Sequence, residues 1–237
     1  MILQEGQLPL LPDGRVLPLA EHVCSVILIW PIDEKPQPSN SLIVDPCFSA
    51  RGYRLAKHKL SQIGASLLDI GFFFVTHNHS DHELHCPDDD VSPAWQAFDT
   101  GAEGVFSGIH STACPGHHPD LLSLHFASDK GETWVVSDAI LNVSWLHAWK
   151  YYWPNRYHRE EIIQTWQSIA LILSQAQVAI PGHAKEIRVT DSLLEKLIAN
   201  FSCVADAAEC SDVIESLNQR RLALKRDAKA NDTIDSL

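Results

Sequence analysis

The segment Phe72-Phe-Phe-Val-Thr-His77-Asn-His79-Ser-Asp81-His82 constrains this chain more than any other. An apolar strand stops and is followed at once by three histidines and an aspartate. At an extended strand end, residues two apart point to the same side. His77 and His79 can therefore grip one ion, while the turning chain presents Asp81 and His82 to a neighbouring one. Neutral imidazole and carboxylate are the ligand types that zinc and related divalent metals take. Unpaired polar groups beside a core strand are costly, which weighs against a loop that is merely rich in histidine.

The rest of the composition sets limits around that feature. A chain of 237 residues can bury a sizeable core unaided, so stability alone does not oblige it to bind metal. With 45% apolar and 20% charged residues it has the composition of a globular domain. Its net charge of −12 disfavours a protein that holds nucleic acid by neutralising phosphates. The chain has 13 His but only 6 Cys and 1 Met, which directs attention to histidine chemistry. Met1 to Leu19 lacks a basic segment followed by an apolar run, so the expectation is a cytoplasmic protein. Val23 to Pro31 is too short to span a membrane and reads as a buried strand. Cys24, Cys47, Cys86, Cys114, Cys203 and Cys210 show no CxxC spacing and read as reduced, mostly buried thiols.

Short apolar runs alternate with polar connections, the pattern of a layered α/β protein. Strands are predicted at Val23–Ile29, Leu42–Val44 and Phe72–Val75, with an amphipathic helix over Ala50–Ser66 that Gly64 weakens near its end. Leu122–Ala127 and Thr133–Val136 flank the turn Asp129-Lys130-Gly131 as a hairpin that feeds into Ser137-Asp138. A helix is expected from Arg159 onward, followed by a strand at Val178–Ile180. Ser192-Leu-Leu-Glu195 has capping-box form and opens a C-terminal helical extension over about 191–226, with a polar tail that frays after Asn218. No linker divides the chain, so residues 1–237 read as one domain.

The H-x-H-x-D-H segment resembles the signature of the metallo-β-lactamase superfamily, and similar family positions follow in order along the chain. Asp45 ends Leu42-Ile-Val-Asp45, Cys114-Pro-Gly-His117 looks like a T-P-G-H motif, Val136-Ser-Asp138 matches an aspartate shared by two metals, and Ile180-Pro-Gly-His183 matches the last histidine. The resemblance implies an α/β fold, a four-layer αββα sandwich, with one metal on His77, His79 and His117 and another on Asp81, His82 and His183. Asp138 would bridge them, and Asp45 would orient ligands through hydrogen bonds. Two departures stand out: a short connection from His82 to His117, where many relatives insert a helix and a strand, and Ala184 where relatives often have Gly.

Two adjacent divalent ions, zinc by preference and iron or manganese as alternatives, bring a hydroxide into reach at neutral pH and stabilise a developing oxyanion. Metal-assisted hydrolysis is the expected reaction, with Asp81 orienting the nucleophile and moving its proton. His118 and His158 are further candidates for proton donors facing the cavity. His22, His58, His85, His110, His125 and His147 match no motif and read as surface or hydrogen-bonded core residues. The aromatic run Trp145 to His158 reads either as a substrate wall, with Tyr151, Tyr157 and Arg156 as polar anchors, or as core packing or a homodimer contact. Asp88-Asp89-Asp90 reads as a solvated turn.

The ligand set leaves the substrate open. A small ester-like bond, in a thioester or lactone, leads. A phosphodiesterase or ribonuclease assisted by Lys150, Arg156 and Arg159 is the alternative, and a mononuclear iron dioxygenase is the reading from another class. A small-molecule substrate is expected, with no membrane partner.

Overall fold

A computed structural model describes residues 1–8, 22–87, 95–100, 106–149 and 157–234, with side chains as far as 228. Ten strands form two five-stranded sheets. The first runs in the order β1 (Ile2–Gln4), β2 (Val26–Ile29), β3 (Leu42–Val44), β4 (Phe72–Phe74) and β5 (Gln96–Ala97). The second runs in the order β10 (Ile187–Arg188), β9 (Val178–Pro181), β8 (Gly131–Ser137), β7 (Leu122–Ser128) and β6 (Ile109–Ala113).

Period-two alternation sorts the strand residues into layers. In β2, Val26 and Leu28 face the helix α1 (Ala50–Gln62), whereas Ile27 and Ile29 face the other sheet. In β8, Trp134 and Val136 face outward to helices and Val135 faces inward. The inter-sheet layer joins Ile27, Ile29, Leu42, Val44 and Phe74 to Leu124, Val135 and Ile180. Both sheet faces are covered, which is why β2 and β3 read as unbroken apolar runs. On the outer face of the second sheet lie α2 (Val143–Ala148), α3 (Arg159–Gln175), α4 (Asp191–Phe201) and α5 (Ser211–Ile234). Helix, sheet, sheet and helix make the expected four-layer αββα sandwich.

Each sheet contains a parallel pair joined through helix: β3 and β4 across α1, and β8 and β9 across α2 and α3. Parallel neighbours end at the same edge, so Asp45, Thr76-His77, Ser137-Asp138 and Gly182-His183 leave the sheets side by side. The Leu122 N–H donates to the Thr76 carbonyl at 3.0 Å and pins the two sheets together there.

Several local expectations are corrected. Val23 lies outside β2 and pairs only with Gln7. The connection between His82 and His117 contributes β5 and β6, one edge strand of each sheet. The cap of α4 is Thr190, whose side chain accepts from the Leu193 N–H at 3.2 Å, rather than Ser192. Helix α5 continues to Ile234 instead of fraying after Asn218. Val213 and Leu217 bury against the core, each side chain contributing about 1.5–3 kcal/mol. The Arg221 pairs with Asp191 and Glu195, at 2.8 Å each, are solvent-screened and add little. Apolar docking therefore holds α5 in place. All six cysteines are free; Cys24, Cys114 and Cys210 are buried and Cys203 is exposed. No helix among the described residues is long and apolar enough to cross a membrane.

Candidate metal centre

The donors gather through a bend rather than through strand alternation. After β4 the chain turns, with the His79 N–H donating to the His77 carbonyl at 3.0 Å and the His82 N–H to the His79 carbonyl at 2.9 Å. As a result His77 presents Nε2 and His79 presents Nδ1, 3.0 Å apart. His117, on the loop between β6 and β7, brings Nε2 to 3.0 Å from the same His79 nitrogen. Across from them, His183 Nε2 lies 3.5 Å from Asp81 Oδ2. The sets His77, His79, His117, Asp138 and Asp81, His82, His183 each offer donor atoms within 4.8 Å of one another.

Asp138 stands between the two sets. Its Oδ2 is 3.2 Å from His117 Nε2 and 3.9 Å from His77 Nε2. Its Oδ1 is 3.3 Å from His183 Nε2 and 3.4 Å from His82 Nε2. One carboxylate oxygen for each set is the geometry of a bridging ligand. The residues fit a pair of cations on two further grounds. His82 Nε2 and Asp138 Oδ1 are buried without a hydrogen-bond partner, a costly arrangement unless a cation takes them up. Three ring nitrogens converge at His79, and one proton can link only two of them at a time.

The outward ring nitrogens are held as metal-binding histidines usually are. His77 Nδ1 meets Thr76 Oγ1 at 3.1 Å, His82 Nδ1 meets Asp45 Oδ2 at 2.9 Å, and His183 Nδ1 meets the Val23 carbonyl at 3.0 Å. His117 Nδ1 meets the Tyr157 hydroxyl at 3.3 Å. Asp45 organises this outer layer. Its Oδ1 accepts from the Thr76 N–H at 2.8 Å, and its Oδ2 accepts from Thr76 Oγ1 at 2.8 Å and Ser137 Oγ at 3.0 Å. Asp45 and Ser137 both adopt positive φ, 48° and 47°, a strained backbone concentrated at this edge.

The two Pro-Gly-His turns have separate physical reasons. Gly116 has φ +129, and a Cβ there would lie 2.0 Å from Thr165 Oγ1. At Gly182 a Cβ would lie 1.9 Å from Asp138 Oδ1, so only glycine lets the chain pass behind the shared carboxylate.

Electrostatics separates the two sets. Burial pushes His77 down to about 2 and His117 to about 4, and burial also lowers His79, so these rings are neutral and ready as ligands. Burial opposes charge on His82 and His183 as well, but Asp138 outweighs it at both, joined by Asp45 at His82, and both pKa values are raised. Burial is likewise overcome at Asp138, whose carboxyl His183, His82 and His117 hold well below its usual range. The second set is thus a pocket that favours positive charge.

The remaining candidates are placed as follows. His118 sits at the first set, its ring centroid 5.3 Å from that of His79 and 5.7 Å from that of His77, and its Nδ1 accepts from the Asp120 N–H at 3.2 Å. Tyr157, read from sequence as a substrate anchor, directs its hydroxyl to His117. His158 caps α3 from an exposed position, its backbone N–H donating to Glu161 at 2.7 Å. Tyr151 and Arg156 lie outside the described residues, as do Asp88–Asp90. Trp149 is core, its Nε1 donating to the Leu197 carbonyl at 2.9 Å. With Trp145 and Trp166 it walls a pocket whose lining includes Asp138. Sequence reading missed Thr76 and Ser137, and it also missed His22, whose Nδ1 lies 3.7 Å from Asp81 Oδ2. Only the position of Thr76 directly before the histidine run offered any signal.

No family model matches the sequence, and no curated protein matches it. Solved structures do match. A putative metallo-β-lactamase from Thermotoga maritima superposes with a TM-score of 0.53 at 15% identity, covering 79% of this chain and 97% of the other. The structure of VMB-1 gives 0.51 at 15% identity, covering 85% of this chain and 99% of the other. The likeness, together with the layer order, shows the fold of the metallo-β-lactamases.

Proposed function

We propose that this chain, built on the metallo-β-lactamase fold, is a dinuclear metal-dependent hydrolase of a small ester-like bond, a thioester or lactone. The observation that carries this reading is Asp138, with one oxygen turned to each of two complete donor sets. Divalent cations held by His77, His79, His117 and Asp138 and by Asp81, His82 and His183, zinc being the ion we propose, would supply a water of near-neutral pKa and would polarise the substrate carbonyl.

The side chains do the rest. Asp81, placed between His22 and His183, orients the attacking water and accepts its proton. The Asp120 N–H fixes His118 Nδ1 as an acceptor, which leaves its Nε2–H free to hydrogen-bond the leaving group while Asp81 returns the water's proton to it.

Phosphodiester hydrolysis receives less support. Arg159, one of the basic residues it would enlist, is already engaged by Glu209 and Asp206. The complete second donor set likewise favours two ions over the single iron of a dioxygenase.

The test is metal-reconstituted protein, assayed for metal content and for turnover of thioesters, lactones, β-lactams and bis(p-nitrophenyl) phosphate. About two metals per chain with thioester or lactone turnover is the expected outcome. Turnover of the phosphodiester alone, or a single iron per chain, overturns the reading. His79→Ala and Asp138→Ala should abolish both metal retention and turnover.

A further inference from the structure

Among the described residues, the second donor set has a neighbour that no motif marks. His22 precedes β2, its side chain is 2% exposed, and its Nδ1 lies 3.7 Å from Asp81 Oδ2. Its ring meets that of His183 edge-on, with centroids 5.8 Å apart. The following residue acts on the same set, since the Val23 carbonyl accepts from His183 Nδ1 at 3.0 Å and from the Gln7 N–H at 2.6 Å. Two consecutive residues therefore touch two of the three second-set donors, Asp81 and His183.

We propose that His22 is a positioning residue for the second metal, acting through Asp81; the inference rests on the two-ion reading given above. A direct ligand role fits less well. Asp81, His82 and His183 offer donor atoms within 4.8 Å of one another, and His22 stands outside that triplet. At 3.7 Å the contact with Asp81 is longer than a direct hydrogen bond but close enough for an imidazole N–H to attract Oδ2. A buried ring against both Asp81 and His183 limits how far that carboxylate can swing away from His183 Nε2, 3.5 Å off. At the first set the outward nitrogens of His77 and His117 are held instead by Thr76 and Tyr157, so His22 is expected to act on the second set alone. Removing an outer partner of this kind typically lowers metal affinity 10- to 100-fold, so about that loss is expected at one metal only.

Metal-free protein is titrated with cobalt(II) alone, following ligand-field absorption, with a chromophoric chelator as competitor for affinity. The unaltered chain should take two equivalents. In His22→Ala the first equivalent should bind with unchanged affinity and spectrum, which also reports intact folding, while the second weakens about 10- to 100-fold. His22→Asn, which places an N–H near the position of Nδ1, should recover most of that loss. Equal loss at both metals, no loss in His22→Ala, or no recovery in His22→Asn each overturns the proposal. Fewer than two equivalents in the unaltered chain defeats the two-ion reading itself, and the positioning role with it.

Discussion

Replacing Asp45 by Asn changes one buried residue by almost no volume and removes a single negative charge. Oδ2 accepts from Thr76 Oγ1 at 2.8 Å, from His82 Nδ1 at 2.9 Å and from Ser137 Oγ at 3.0 Å, while Oδ1 accepts from the Thr76 N–H at 2.8 Å. An amide has one acceptor oxygen. If its nitrogen takes the Oδ2 place, the two hydroxyls can rotate to accept from it, but the His82 N–H cannot. If the amide flips, the Thr76 N–H faces the NH2 group instead. Either way one buried donor loses its partner, at about 1–3 kcal/mol, and the surviving bonds lose charge assistance worth about another 1 kcal/mol. The metal-free protein should therefore lose about 2–4 kcal/mol, on the order of 5–15 °C in Tm for a chain of this size. The second metal, whose His82 has lost its orienting partner, should bind about 10- to 100-fold more weakly. Calorimetry of the metal-free variant and zinc titration read the two effects separately. A Tm within about 1 °C of the unaltered protein, with the second metal unweakened, would refute the role given to Asp45.

Three further outcomes follow from the same geometry. Gly116→Ala forces a Cβ against Thr165 at a φ of +129, so a loss of about 1–3 kcal/mol with weaker first-metal binding is expected, read by thermal melting and metal titration. Tyr157→Phe removes the hydroxyl at His117 Nδ1, so it should weaken the first metal about 10-fold and leave the second unchanged; a shift in KM alone would return Tyr157 to the substrate wall. Protons compete with metal at His82 and His183, whose pKa values are raised, so the second metal's apparent affinity falls as pH drops through those values. His77 and His117, lowered to about 2 and about 4, stay neutral in mild acid, so metal analysis after dialysis at decreasing pH should show the second metal leaving first. For the metal-free fold the sign is the reverse: stabilisation from protonated His82 and His183 is complete at low pH and disappears as pH rises through their folded-state values.

The candidate donor cluster was legible because metal-binding chemistry demands particular residue types at strand ends, and apolar runs such as Leu42–Val44 mark those ends. The apolar runs showed only that both faces of β2 and β3 are covered; the four-layer order came from the family resemblance. What escaped was set by distance along the chain. His22 and Asp81 are far apart in sequence, and nothing around His22 distinguishes it from a core histidine. Tyr157 carries no local mark that tells a ligand-orienting hydroxyl from a substrate anchor. Strand β5 is two exposed residues long and β6 mixes Ile109 with polar neighbours, so neither shows the alternation that makes a strand readable. The polar face of α5 concealed its length, because its fully buried docking residues, Val213 and Leu217, lie in its first half and only the partly buried Leu224 follows.

The two sheets meet along the apolar layer of Ile27, Val44, Leu124, Val135 and Ile180, and the donors hang from the edge of that seam. Asp81 and His82 belong to one leaf and Asp138 and His183 to the other, so the centre works like the jaws of a clamp whose hinge is the core itself. Its alignment is set by apolar packing. Trimming Leu124 or Val135 should let the leaves slide by fractions of an ångström and spread the two donor sets before the fold gives way.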